Sequence, residues 1–113
     1  MEESNICIRV LGYDIEAIAV YRIAAEQVGK KRSLHIKVRP MRKKCSAKCD
    51  AILLSPKHAR DTKRFGYKPV KVTDINSCGT PSDRIKIACQ DITDVCDEVL
   101  IRNNFTCSTW YQN

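Results

Sequence analysis

Long apolar runs are missing from this chain of 113 residues. Stretches such as IEAIAV and AILL are the longest that are nearly free of charge, and both fall far short of the roughly 20 residues that a bilayer-spanning helix needs. No membrane crossing is expected. Aromatic residues make up only 6%, and glycine and proline number four each, which leaves a collagen-like or low-complexity chain without support. The opening MEESNICIRV has neither a basic-then-apolar secretory segment nor an Arg- and Ser-rich transit peptide, so the chain is expected to stay where it is made or to be a mature or organelle-encoded form. Apolar residues at 43% and charged residues at 29% are instead those of one folded domain.

Acidic residues are scarce in one place. Between residues 30 and 72, fifteen Lys and Arg stand against only Asp50 and Asp61, a local net charge of +13, while residues 1–29 and 73–113 each carry −3. A solvated surface normally mixes signs, because like charges packed together repel. A solubility face would intersperse its bases with acids. Segregation favours a polyanion, whose phosphates release counterions when neutralised, and without a basic amphipathic helix a membrane surface fits less well. Nucleic acid is the expected partner. The seven cysteines, an odd number, are scattered rather than paired and point to a reducing compartment. Cys45 and Cys49 have the spacing of a zinc half-site, but no second clean pair follows, so no metal is assigned.

Ile6, Ile8 and Val10 alternate with Cys7, Arg9 and Leu11 as in a strand. Asp14 then caps a helix over Ile15 to Val28, stopped by Gly29. Leu34, Ile36 and Val38 alternate with His35, Lys37 and Arg39, giving a second strand with a basic outer face that Pro40 ends. The basic stretch MRKKCSAKC before AILL reads as a hairpin loop, about residues 39–50, and KHARDTKRFGYK as an irregular or briefly helical link to a strand around Val70 and Val72. Thr80-Pro81-Ser82-Asp83 starts a second helix, in which Ile85, Ala88, Cys89 and Ile92 face the core. Glu98 to Arg102 reads as a last short strand, and residues 103–113 as a polar tail whose Trp110 and Tyr111 suggest docking. This order suits an α+β fold over residues 1–102, with two helices on one face of a mostly antiparallel sheet.

Four segments, IRVLGYD, LLSPKHARDTKRF, KVTDINSCGTPSDRI and DEVLI, taken in order, resemble the universal small-subunit ribosomal protein ten family (S-ten) over nearly the whole chain. The divergent loop RPMRKKCSAKC and the many cysteines resemble a mitochondrial member. The resemblance implies a ferredoxin-like fold with a four-stranded, mostly antiparallel sheet and an extended basic hairpin. It also implies a structural constituent of the small-subunit head, in ribosomes of the mitochondrial matrix rather than the cytoplasm. Its partners would be ribosomal RNA and head proteins of families three and fourteen, with no cofactor, small-molecule substrate or catalysis.

In that role Arg39, Arg42, Lys43, Lys44 and Lys48 on the hairpin, and Lys57, His58, Arg60, Lys63 and Arg64 in the link, would hold phosphates and 2′-hydroxyls by position rather than read bases. The Arg forks grip phosphate best. Phe65 and Tyr67 stack on bases or close an edge of the core. Two alternatives remain. One is an antitermination-type partner-binding factor, as bacterial members of the S-ten family can be. The other is a small phosphotransfer enzyme domain, since the strand, loop and helix at the N-terminus resemble the cysteine-phosphorylated domains of sugar phosphotransfer systems. Those domains carry their nucleophile just after the first strand, where this chain has Leu11-Gly12-Tyr13 and no Gly-rich phosphate loop; Cys7 lies inside the strand.

Overall fold

The computed structural model describes residues 4–41, 49–65, 68–77 and 79–112, with the backbone alone for Ser4, Arg64 and residues 103–112. Strand β1 (Ser4–Leu11) turns through Gly12 into helix α1 (Ile15–Arg32), which returns the chain to β2 (Leu34–Pro40). Asp14 caps α1 as expected, its Oδ1 accepting from the Ala17 amide at 2.8 Å. Gly29 does not stop the helix. It lies inside the last turns because a Cβ there would sit 2.5 Å from the Leu34 carbonyl oxygen, and Ser33, at φ 57°, makes the left-handed exit instead.

Strand β3 (Ala51–Leu54) leads into a 3₁₀ segment (Pro56–Phe65), then β4 (Val70–Val72), a short 3₁₀ turn (Ile75–Ser77) and helix α2 (Pro81–Gln112). The start of α2 is the expected capping box: Thr80 Oγ1 accepts from the Asp83 amide at 3.1 Å and donates to Asp83 Oδ2 at 2.7 Å.

The sheet runs β2-β1-β3-β4 with every neighbouring pair parallel, so the mostly antiparallel, ferredoxin-like sheet is not the fold of this chain. Because β1 lies between β2 and β3 and both run parallel to it, these two strands do not pair as the expected hairpin, most of whose loop lies outside the described residues. The expected strand at Glu98 to Arg102 belongs to α2, which also continues into the segment read as a tail. Its helical stripe continues from Ala88 and Ile92 through Val95, Cys96 and Val99, all buried, whereas Ile101, two residues on from Val99, is 64% exposed.

Alternation along the strands divides the core. Ile6, Ile8, Val10, Val38, Ala51 and Leu53 face α1 and α2, packing on Tyr21, Ala24, Val28, Ile92 and Val95. On the other face Ile52 and Leu54 pack under Phe65, with Leu11, Met41, Cys49 and Val70 around them. Phe65 therefore closes a core edge. Right-handed crossovers that leave a central strand pair in opposite directions cover opposite faces of a parallel sheet. That is where α1, on the β1-to-β2 side, and the 3₁₀ segment, on the β3-to-β4 side, are found. Among the described residues no helix is long and apolar enough to cross a membrane.

Candidate phosphate-binding rim and cationic face

The strand order reverses between β1 and β3, and their carboxyl ends stay joined one residue beyond the strands, the Ser55 amide donating to the Leu11 carbonyl at 3.0 Å. Gly12 follows with φ +87°, a left-handed conformation that suits glycine. A Cβ on Gly12 would fall 2.2 Å from Ser55 Oγ, 2.4 Å from His58 Cδ2 and 3.1 Å from His58 Nε2. Both side chains therefore converge on the bare backbone of that turn, beside the N-terminus of α1.

Ser55 is 7% exposed, and its buried hydroxyl has no hydrogen-bond partner among the described residues. Leaving such a group unmatched costs about 1–3 kcal/mol. The His58 amide donates to the Ser55 carbonyl at 2.9 Å, which locks the first turn of the 3₁₀ segment. His58 Nδ1 lies 3.2 Å from Asp61 Oδ2, both side chains one-third exposed, and Nε2 has no hydrogen bond among the described residues. Pairing at one ring nitrogen sets the tautomer and leaves the other free for chemistry. Lys57 and Arg60 are exposed on the same segment.

Behind the rim a polar network ties the loop after β1 to α1, β4 and α2. Tyr13 donates its hydroxyl to the Thr73 carbonyl at 2.6 Å, and its ring meets that of Tyr21 edge-on at 5.2 Å. Buried Asp91, 3% exposed, accepts from Thr73 Oγ1 at 2.5 Å and Tyr21 Oη at 3.1 Å, and its Oδ1 lies 3.1 Å from Lys71 Nζ. Lys71 also pairs with Asp94. Burial raises both phenols above the usual tyrosine range. Burial alone would pull the Lys71 ammonium down, but hydrogen bonds to Asp94 and Asp91 outweigh it and hold the ammonium above its ordinary value. The Asp94 carboxyl is held low, first by Lys71 and then by Gln90.

No protein-family model matches this chain, and no curated protein matches it in sequence.

The sheet face that carries the 3₁₀ segment also presents side chains of β1 and β2. Asn5, Cys7 and Arg9 pair in register with His35, Lys37 and Arg39, so Arg9 and Arg39 are direct neighbours. Like charges set side by side on a sheet are destabilising. Among the described residues Asp50 is the acid at this face, and its carboxylate accepts from the Cys7 amide at 2.8 Å. Arg9 itself donates to the Pro40 carbonyl at 3.1 Å.

Of the residues singled out in the sequence, Arg39 lies exposed on β2 at this face, and Lys57, Arg60 and Lys63 are exposed on the 3₁₀ segment. His58 is drawn to the rim instead. Arg42, Lys43, Lys44 and Lys48 lie outside the described residues, as do Tyr67 and Cys45, and the side chain of Arg64 is not described. Gly12, Ser55 and Asp61 were not picked out as a site. The glycine directly after a strand was the available signal, and its weight depends on β3 lying next to β1.

Proposed function

We propose that this chain is a small domain of the phosphotransfer type that holds a phosphoryl-bearing ligand at the rim formed by the carboxyl ends of β1 and β3. The observation that carries this is the reversal of strand order at β1 and β3, with Gly12, Ser55 and His58 converging there. In an open parallel sheet, segments leaving the strands at such a reversal go to opposite faces, and ligands bind in the crevice beyond the strand ends. A helix N-terminus at the same place favours phosphate. Lys57 and Arg60 add positive charge, and a ligand oxygen would satisfy the stranded Ser55 hydroxyl. Fold alone does not name an activity. The strand-loop-helix opening nevertheless resembles the cysteine-phosphorylated domains, and the role left to a chain with Leu11, Gly12 and Tyr13 after β1 is recognition without cysteine chemistry.

Titrating inorganic phosphate into the isotope-labelled chain is expected to shift the amide signals of Gly12, Ser55 and His58 first. Shifts confined to Lys37 and Arg39, or no response at the rim, would overturn the proposal.

A second reading is favoured by the adjacent, like-charged Arg9 and Arg39 on that sheet face. There the chain is an RNA-binding structural constituent of the small ribosomal subunit, neighbouring head proteins of families three and fourteen in the mitochondrial matrix. The support is the cationic face, since the parallel sheet is not the scaffold that the S-ten resemblance implied. The double substitution Arg9→Glu and Arg39→Glu is expected to abolish RNA binding that weakens steeply with salt. Binding that ignores salt, or a chain that never sediments with small subunits, counts against it.

A further inference from the structure

We infer that the outer edge of β2 is a docking site for an extended, acidic segment of another protein, which joins the sheet as an added strand. The site is separate from the rim at β1 and β3. Strand β2 is seven residues long and has a neighbouring strand on one side only, β1. The Met41 amide, just beyond β2, donates to the Val10 carbonyl of β1 at 2.8 Å, whereas the Val38 carbonyl accepts from Arg22 Nε of α1 at 3.2 Å. Backbone groups alternate in direction along a strand. The amides of Lys37 and Arg39 therefore turn to β1, and the amides of Ile36 and Val38, with the Ile36 carbonyl, turn to the edge away from it. Such an edge is a template for a further strand. A groove of about 520 Å³ runs beside it, between β2 and α1, where half-buried Leu34 and Ile36 meet the small residues Ala25 and Gly29.

Charge selects the occupant. Arg22, Lys30, Lys37 and Arg39 line the groove against Glu26, which already lies 3.4 Å from Lys30 Nζ. Among the described residues neither Lys37 nor Arg39 has an ion pair, and both are exposed. A strand laid on β2 sends alternate side chains to the two faces of the sheet. Apolar side chains on the helix side would cover Leu34 and Ile36, and carboxylates on the other would stand beside Lys37 and Arg39, where opposite charges in neighbouring strands attract. A second copy of β2 in that place would set Lys37 and Arg39 among their own copies, which repel. RNA phosphates offer acceptors for the two amides but cover neither the Ile36 carbonyl nor the apolar side of the groove. At the opposite edge β4 is three residues long, and its Lys71 is already held by Asp91 and Asp94.

The experiment titrates a short capped peptide of alternating Val and Glu into the isotope-labelled full chain, read by amide shifts and hydrogen exchange. The Ile36 and Val38 amides are expected to shift and to exchange more slowly, while those of Lys37 and Arg39, already bonded to β1, keep their exchange rates. A peptide with Lys in place of Glu should not bind, and the double substitution Lys37→Glu and Arg39→Glu should weaken binding of the Glu peptide about tenfold. An extended strand turns alternate amides to opposite edges, so methylating the Val amides or the Glu amides of the peptide should abolish binding for one set and spare it for the other. Equal effects of the two methylations, equal binding of the Lys peptide, or no protection at Ile36 and Val38 overturns the proposal. So does protection that single-stranded RNA produces and the peptide does not. If these amides are protected before peptide is added, the edge is already filled, by the chain itself in a monomer or by a second copy in a dimer seen by sedimentation, and the proposal falls.

Discussion

The buried carboxylate of Asp91 offers the sharpest test of how the rim is supported. Replacing it by alanine removes the acceptor for the fully buried Tyr21 hydroxyl and for Thr73 Oγ1, and takes one of two carboxylates from Lys71. A buried donor left without a partner costs about 1–3 kcal/mol, and breaking a buried ion pair costs about 3–5 kcal/mol. Lys71 is one-third exposed and keeps Asp94, so its share of the loss is small. The total expected for Asp91→Ala is therefore about 3 kcal/mol. With a urea slope of roughly 1.5 kcal/mol per molar for a domain of this size, the unfolding midpoint falls by about 2 M with the slope unchanged. Asp91→Asn, which keeps an oxygen for Tyr21 and Thr73 but gives up the charge, is expected to cost about 1–2 kcal/mol. The assay is urea unfolding followed by circular dichroism. A loss below about 1 kcal/mol for the alanine variant, or equal losses for the two variants, would refute the assignment of Asp91 as the anchor between α1, β4 and α2.

Gly12→Ala should cost about 1–3 kcal/mol for the left-handed backbone, and more because its Cβ meets Ser55 Oγ and His58. In a double-mutant cycle Ser55→Ala should return part of that loss, and strict additivity would show that the close approach is not what constrains this turn. Alkaline pH should weaken the fold in a defined direction. Burial pushes the Cys96 thiol up to about 11 and the Tyr13 and Tyr21 phenols above their ordinary values, so the unfolded chain loses these protons first. Stability from the thiol is complete below its unfolded pKa, near 9, and is lost as pH rises toward 11, so Cys96→Ala should flatten part of that decline in thermal melts. An unchanged profile would show that this thiol is not protected.

Capping and alternation were legible at once, because both are local. Asp14 and the Thr80-Asp83 box begin their helices where the residue types place them, and β2 turns His35, Lys37 and Arg39 away from the core as its alternation predicts. The strand expected at Glu98 to Arg102 failed for a physical reason. Val99 and Ile101 suggest alternation over too few residues, while the longer stripe from Ala88 to Val99 has a helical period. AILL held an unread signal, since an unbroken apolar run suits a strand covered on both faces, as in parallel sheets. Its four residues are all buried.

Composition, helix starts, outward-facing bases and the charge imbalance follow from the order of the residues alone, because each depends on neighbours within a few positions. Which strands pair, in what direction and in what order does not. The stretch between Pro40 and Ala51 has a length and polarity that suit a hairpin loop, and only the tertiary structure, by placing β1 between β2 and β3 and parallel to both, shows that these strands are not hairpin partners. That same placement brings Gly12 against Ser55 and His58, forty-odd residues away along the chain. The rim therefore belongs to the tertiary structure, because its groups meet only after β3 has joined β1.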